Sequence, residues 1–70
     1  MYDLGELIKR LRTERGYTQA QLAKKLNKSK SAISRYESNQ KVPSLETLID
    51  ISILFNVSLD YLAGKEKGNF

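Results

Sequence analysis

The chain has 70 residues, 40% of them hydrophobic, with no Cys, no His and a net charge of +4. That length holds one domain, whose small core must be stabilised by close packing alone. Disulfides, thiolate chemistry and imidazole-based metal binding or acid–base catalysis are excluded, no apolar run reaches the ~18 residues of a membrane span, and the N-terminal Met-Tyr-Asp-Leu-Gly-Glu lacks the marks of a secretion signal.

Five helices are expected, near residues 4–15, 19–26, 30–38, 45–55 and 59–63. Asp3, Thr18, Ser29, Ser44 and Ser58 can each cap a helix start, because a side-chain oxygen there accepts an otherwise orphaned N–H. Asp3 with Glu6 and Thr18 with Gln21 have the spacing of a capping box. Gly16, Asn27, Asn39, Asn56 and Gly64 follow as stops, being the residue types that tolerate the left-handed conformation. Asn27 and Asn56 also head Asn-x-Ser triplets, which read here as turn chemistry and not as glycosylation sites.

Apolar spacing agrees with this punctuation. Leu4, Leu7, Ile8 and Leu11 form the stripe of the first helix. Leu22, Ala23 and Leu26 form that of the second, and Ala32, Ile33 and Tyr36 that of the third. Leu45, Leu48, Ile49 and Phe55 are expected to bury the fourth helix, followed by Val57, Leu59 and Leu62. No alternating run is long enough for a strand. The domain is expected to cover residues 1–64, with 65–70 a short flexible tail.

Charge is unevenly placed. Residues 1–41 hold ten Lys and Arg against four acids, whereas residues 42–64 hold three acids and no base. A polyanion would therefore meet the first part of the chain. Within that part, a turn of three or four residues separates the second and third helices, which is helix-turn-helix spacing. Ala23 is small enough for a close helix crossing, Asn27 suits a positive φ in the turn, and Ile33 can lock the third helix on the second.

Three segments carry a resemblance: Gly-Tyr-Thr-Gln-Ala-Gln-Leu-Ala-Lys-Lys-Leu-Asn at 16–27, Ser-Ala-Ile-Ser-Arg-Tyr-Glu at 31–37, and Val-Pro-Ser-Leu-Glu-Thr-Leu at 42–48. Together they resemble the Cro/C1 repressor family, also called the Xre family, over about residues 4–63. The resemblance implies an all-α, compact five-helix, lambda-repressor-like bundle, with the second and third helices as the helix-turn-helix. It implies a sequence-specific regulator of transcription, a repressor of bacterial or phage origin, whose third helix enters the major groove of a palindromic operator. Asn27 and Asn39 stand where the family usually has Gly, and Asn is the next-best residue at positive φ.

The third helix divides accordingly. Ala32, Ile33 and Tyr36 fall on one side, while Lys30, Ser31, Ser34, Arg35 and Ser38 spread over the opposite ~140° of the wheel. Small side chains let such a helix sit deep in a groove, and Lys30 and Arg35 are donors suited to guanine O6 and N7. Lys30, Ser31, Ser34 and Arg35 are thus the expected base readers. Gln19 opens the second helix, where free N–H groups and the helix dipole favour phosphate, and the resemblance implies a phosphate contact there too. Thr18, Lys28, Ser29, Asn39, Lys41 and Arg12 complete the expected backbone contacts, which fix position without reading sequence. The resemblance also implies that Arg12 pairs with Glu37. Lys9, Arg10, Arg15, Lys24 and Lys25 read as general field.

The partner expected is double-stranded DNA, met by a homodimer at least on DNA, because such domains bind two-fold half-sites about one helical turn apart. Ile53, Leu54 and Tyr61 are the expected dimer residues. No metal, cofactor, small-molecule ligand, catalytic residue or membrane is expected, and the location expected is the cytoplasm, at the nucleoid. An antitoxin-like interaction module that also binds DNA is the alternative. An enzyme is disfavoured, since no Gly-rich phosphate loop or close carboxylate cluster is present.

Overall fold

A computed structural model describes residues 2–65. Five helices run in chain order: α1 (Leu4–Glu14), α2 (Gln19–Leu26), α3 (Lys30–Glu37), α4 (Leu45–Phe55) and α5 (Leu59–Leu62). Among the described residues there is no strand. The body measures 31 × 22 × 21 Å.

The caps do what the sequence implies. Asp3, Thr18, Ser29, Ser44 and Ser58 each sit in extended backbone and accept a first-turn N–H through the side chain. The reciprocal capping box forms at Thr18 and Gln21. At Asp3 the carboxylate accepts the Glu6 N–H, but its other hydrogen bond comes from Asn39. All five expected stops have positive φ, from 56° at Asn56 to 77° at Gly64.

The core is a single cluster. Ile8, Leu22, Ile33 and Ile51 are fully buried, joined by Leu7, Ala23, Leu26, Tyr36, Phe55 and Leu62. α3 lies against both α2 and α1, while α4 packs on α5 and α2. Ala23, 3% exposed, permits the close α2–α3 crossing.

The fourth helix departs from expectation. Its buried stripe is Thr47, Ile51 and Phe55, with Leu48 half-buried beside it, whereas Leu45 is 67% and Ile49 39% exposed. Leu59, also expected inside, is exposed. Seven of the eleven residues of α4 are apolar, so more than one helical face could have served the core. The choice falls to the face carrying Ile51 and Phe55. Thr47 is tolerated there because the Ser44 hydroxyl donates to its Oγ1 at 3.1 Å. The expected tail lies outside the described residues, except for exposed Lys65.

Candidate nucleic-acid interface

The turn between α2 and α3 is closed by the backbone. Asn27, at φ 57°, ends α2, and the Lys28 N–H donates back to Ala23 O at 2.8 Å. Ser29 starts α3 two residues later, its hydroxyl accepting from the Ala32 N–H at 3.0 Å. This short turn fixes the angle between the helices. α3 then buries Ile33 and Tyr36 and half-buries Ala32 and Glu37. Lys30, Ser31, Ser34, Arg35 and Ser38 are all exposed on the opposite side. None of the five carries an acid, and the two long side chains are both cations.

A buried network anchors the back of α3 to the rest of the bundle. Arg12 donates from Nε to Glu37 Oε2 at 2.6 Å and from Nη2 to Oε1 at 3.1 Å. Its third donor, Nη1, reaches Tyr17 O at 2.8 Å. The Gln19 side chain joins the same carboxylate, with Nε2 donating to Glu37 Oε1 at 3.0 Å. The Arg12 and Glu37 side chains are only 11% and 5% exposed. The pairing is therefore a fork of charge-assisted bonds shielded from water.

A second link, at the C-terminal end of α3, could not be read from spacing. Asn39 stands at φ 62° just beyond the helix. Its Oδ1 accepts the Gly5 N–H at 3.0 Å, and its Nδ2 donates to Asp3 Oδ1 at 2.8 Å. The Asn39 bond, with help from the Glu6 N–H, holds the Asp3 carboxyl below its ordinary range. Gly5 is required at this crossing. A Cβ there would lie 2.6 Å from both Tyr36 O and Glu37 O. The chain then folds back under α3, with the Gln40 and Lys41 N–H groups donating to Arg35 O at 2.9 and 3.3 Å.

These contacts sort the expected phosphate ligands. Lys28 and Lys41 are exposed at the two ends of α3. Thr18 and Ser29 use their oxygens as caps, leaving each hydroxyl proton available to donate outward. Gln19 is half-buried and retains a second Nε2 hydrogen. Two of them also have partners within the domain: Arg12 is drawn into the network with Glu37 and Tyr17, and the Asn39 amide bonds Gly5 and Asp3 at the start of α1.

Other cations prove to have local roles that composition did not reveal. Arg15 donates to Leu54 O and Phe55 O at 3.4 and 3.1 Å, capping the end of α4, and sits over the Phe55 ring. Arg10 donates to the Tyr61 hydroxyl at 3.1 Å. Lys25 lies 5.1 Å from the centre of the Tyr17 ring. Of the residues expected at a dimer contact, Ile53 is 73% exposed, while Leu54 and Tyr61 are half-buried against the core.

A short turn joining two tightly crossed helices, with the second anchored behind and basic in front, defines a helix-turn-helix domain of the DNA-binding class. A helix-turn-helix family model matches residues 8–62. The chain belongs to this family, of the Cro/C1 or Xre type. It is 44% identical over 64 residues to the HTH-type transcriptional regulator ImmR of Bacillus subtilis (strain 168), covering 91% of this chain and 50% of ImmR. It is 36% identical over 63 residues to the immunity repressor protein of Bacillus phage phi105, covering 90% of this chain and 44% of that protein. The chain thus spans about half the length of these relatives. Among solved structures, the P22 c2 repressor in complex with a synthetic operator superposes with a TM-score of 0.86 at 32% identity, covering 94% of this chain and all of that one. The biofilm master regulator SinR in complex with DNA gives 0.77 at 36% identity, covering 86% and 97%.

Proposed function

We propose that this chain is the operator-binding domain of a transcriptional repressor, and that it places α3 in the major groove of a palindromic site. One observation carries the reading: the exposed side of α3 consists of Lys30, Ser31, Ser34, Arg35 and Ser38, while its other side is held by the Arg12–Glu37–Gln19 network. Lys30 and Arg35 donate to guanine edges, and Ser31 and Ser34 reach bases or phosphate. Gln19, Thr18, Lys28, Ser29 and Lys41 hold the phosphates on either side. Arg12 and Asn39 act behind them, positioning α3. The relatives support the regulatory role, since ImmR is named a transcriptional regulator and the phi105 protein an immunity repressor. A repressor of this kind works on the nucleoid, in the cytoplasm, and reads its palindrome as a homodimer.

The test is selection of bound duplexes from a randomised pool. The expected product is an inverted repeat whose half-sites lie about one helical turn apart. Recovery of duplexes with no shared motif would refute the reading.

A further inference from the structure

The two residues ahead of α1 hold two different helix ends. The Tyr2 hydroxyl donates to Leu62 O, at the last residue of α5, and so satisfies one of the carbonyls that a short helix leaves open. The Tyr2 ring lies directly on Gly64, where a Cβ would come within 2.7 Å of the ring's Cγ and Cδ1. Gly64, at φ 77°, thus serves both a left-handed turn and a close approach. One residue on from Tyr2, the Asp3 carboxylate accepts from Asn39 Nδ2 at 2.8 Å. Asn39 opens the turn beyond α3, in which the Gln40 and Lys41 N–H groups close on the carbonyl of Arg35.

These ties join elements that pack on different neighbours. α3 packs chiefly on α1 and α2, whereas α5 packs chiefly on α4. Tyr2 and Asp3 are consecutive, with Cα atoms ~3.8 Å apart, so a displacement of the Tyr2 backbone moves Asp3 as well. One oxygen, Asp3 Oδ1, accepts both the Glu6 N–H and the Asn39 amide, so a change in how residue 3 sits at the start of α1 alters both bonds together. A hydrogen bond is lost once stretched to ~3.6 Å, so a shift of under ~1 Å at Asp3 is enough to release Asn39. The turn that carries Lys41 then loses one of the ties that fix its place.

We infer that Tyr2 and Asp3 are positioning residues for DNA binding: they form a strap from the end of α5 to the Asn39–Lys41 turn, and through Asn39 they set Lys41 against the phosphate backbone without touching DNA themselves. The inference rests on the assignment of α3 as the DNA-reading helix and of Lys41 as a phosphate contact. The strap acts on a backbone contact and not on the exposed face of α3. It therefore governs affinity and leaves sequence preference alone. It also makes the end of α5 a control point, since a shift at Gly64 displaces the Tyr2 ring and loosens the hold on DNA.

The experiment titrates the 70-residue chain against the selected inverted repeat and a scrambled duplex, with urea unfolding of each variant to establish that it is folded under the binding conditions. Tyr2→Phe removes the hydroxyl tie and keeps the ring. Gly64→Ala expels the ring and leaves Tyr2 unchanged. Each should weaken binding to both duplexes about three- to tenfold, with the selected motif unaltered. In an Asn39→Gly background, where the strap is already cut, neither should weaken binding further by more than about twofold. A ring that merely covers a helix end would lower the urea midpoint and leave the affinity of the folded chain as it was. That result, or equal losses with and without Asn39, would overturn the strap while leaving the role of α3 intact. Loss of all sequence preference in the wild-type chain would instead strike the reading of α3, and the strap with it.

Discussion

At Asn39 one side-chain amide satisfies a first-turn N–H of α1 and a carboxylate together, 34 residues from Gly5 and 36 from Asp3. Asn39→Gly keeps the positive φ and loses both bonds, and should destabilise the domain by about 1 kcal/mol. Asn39→Ala adds left-handed strain and should cost about 2–3 kcal/mol. Urea unfolding of the two variants checks the order. Gly5→Ala should cost at least as much as Asn39→Gly, because its Cβ meets the carbonyls of Tyr36 and Glu37. Asp3 adds a pH dependence of known sign. Its carboxyl is lowered in the folded chain, first by the Asn39 bond. The stability it contributes is present above the ordinary carboxylate range and is lost as pH falls through the lowered value. Unfolding midpoints measured from neutral to acid pH should therefore fall less steeply for Asp3→Asn than for the wild-type chain. On the DNA side, Arg35→Ala should relax preference at one base position, at about 1–3 kcal/mol for the preferred base. An unchanged selected motif would show that Arg35 does not read a base.

At the scale of helices, the Glu37 carboxylate joins three elements: α1 through Arg12, the start of α2 through Gln19, and α3 on which it stands. Glu37→Ala leaves the Arg12 guanidinium buried without its counterion and should destabilise by about 3–5 kcal/mol. Chemical denaturation at neutral pH measures it, and a loss below about 1 kcal/mol would show the pair to be solvated in solution. The helices themselves were legible because each has a local start and stop in the chain. A Ser, Thr or Asp before the first turn and a Gly or Asn after the last act over three or four residues, with no knowledge of the fold. The exposed face of α3 was legible for a related reason, since its polar and apolar residues separate cleanly on the wheel. The register of α4 was not, because Leu45 and Ile49 are as apolar as Ile51 and only tertiary packing chooses between them. Nor were the Asn39 and Arg15 anchors, whose partners lie 34 to 40 residues away in sequence.

Over the whole molecule, the chain separates two kinds of surface. The part up to Lys41 carries the excess of cations, and the part from Val42 to Gly64 carries acids and the exposed aliphatic residues of α4. The first part therefore carries the charge that attracts phosphate. The affinity should fall steeply with salt for any duplex, since the contacts proposed for Lys28 and Lys41 are to phosphates, which every duplex presents alike. Preference between sequences should fall much less, because the contacts proposed for α3 are to base edges at short range. Titration of the chain against the selected inverted repeat and a scrambled duplex, at several salt concentrations, tests the central claim most directly. The repeat should bind at least about a thousandfold more tightly at moderate salt, with a preference that persists as both affinities decline. Equal affinity for the two duplexes at every salt concentration would contradict it.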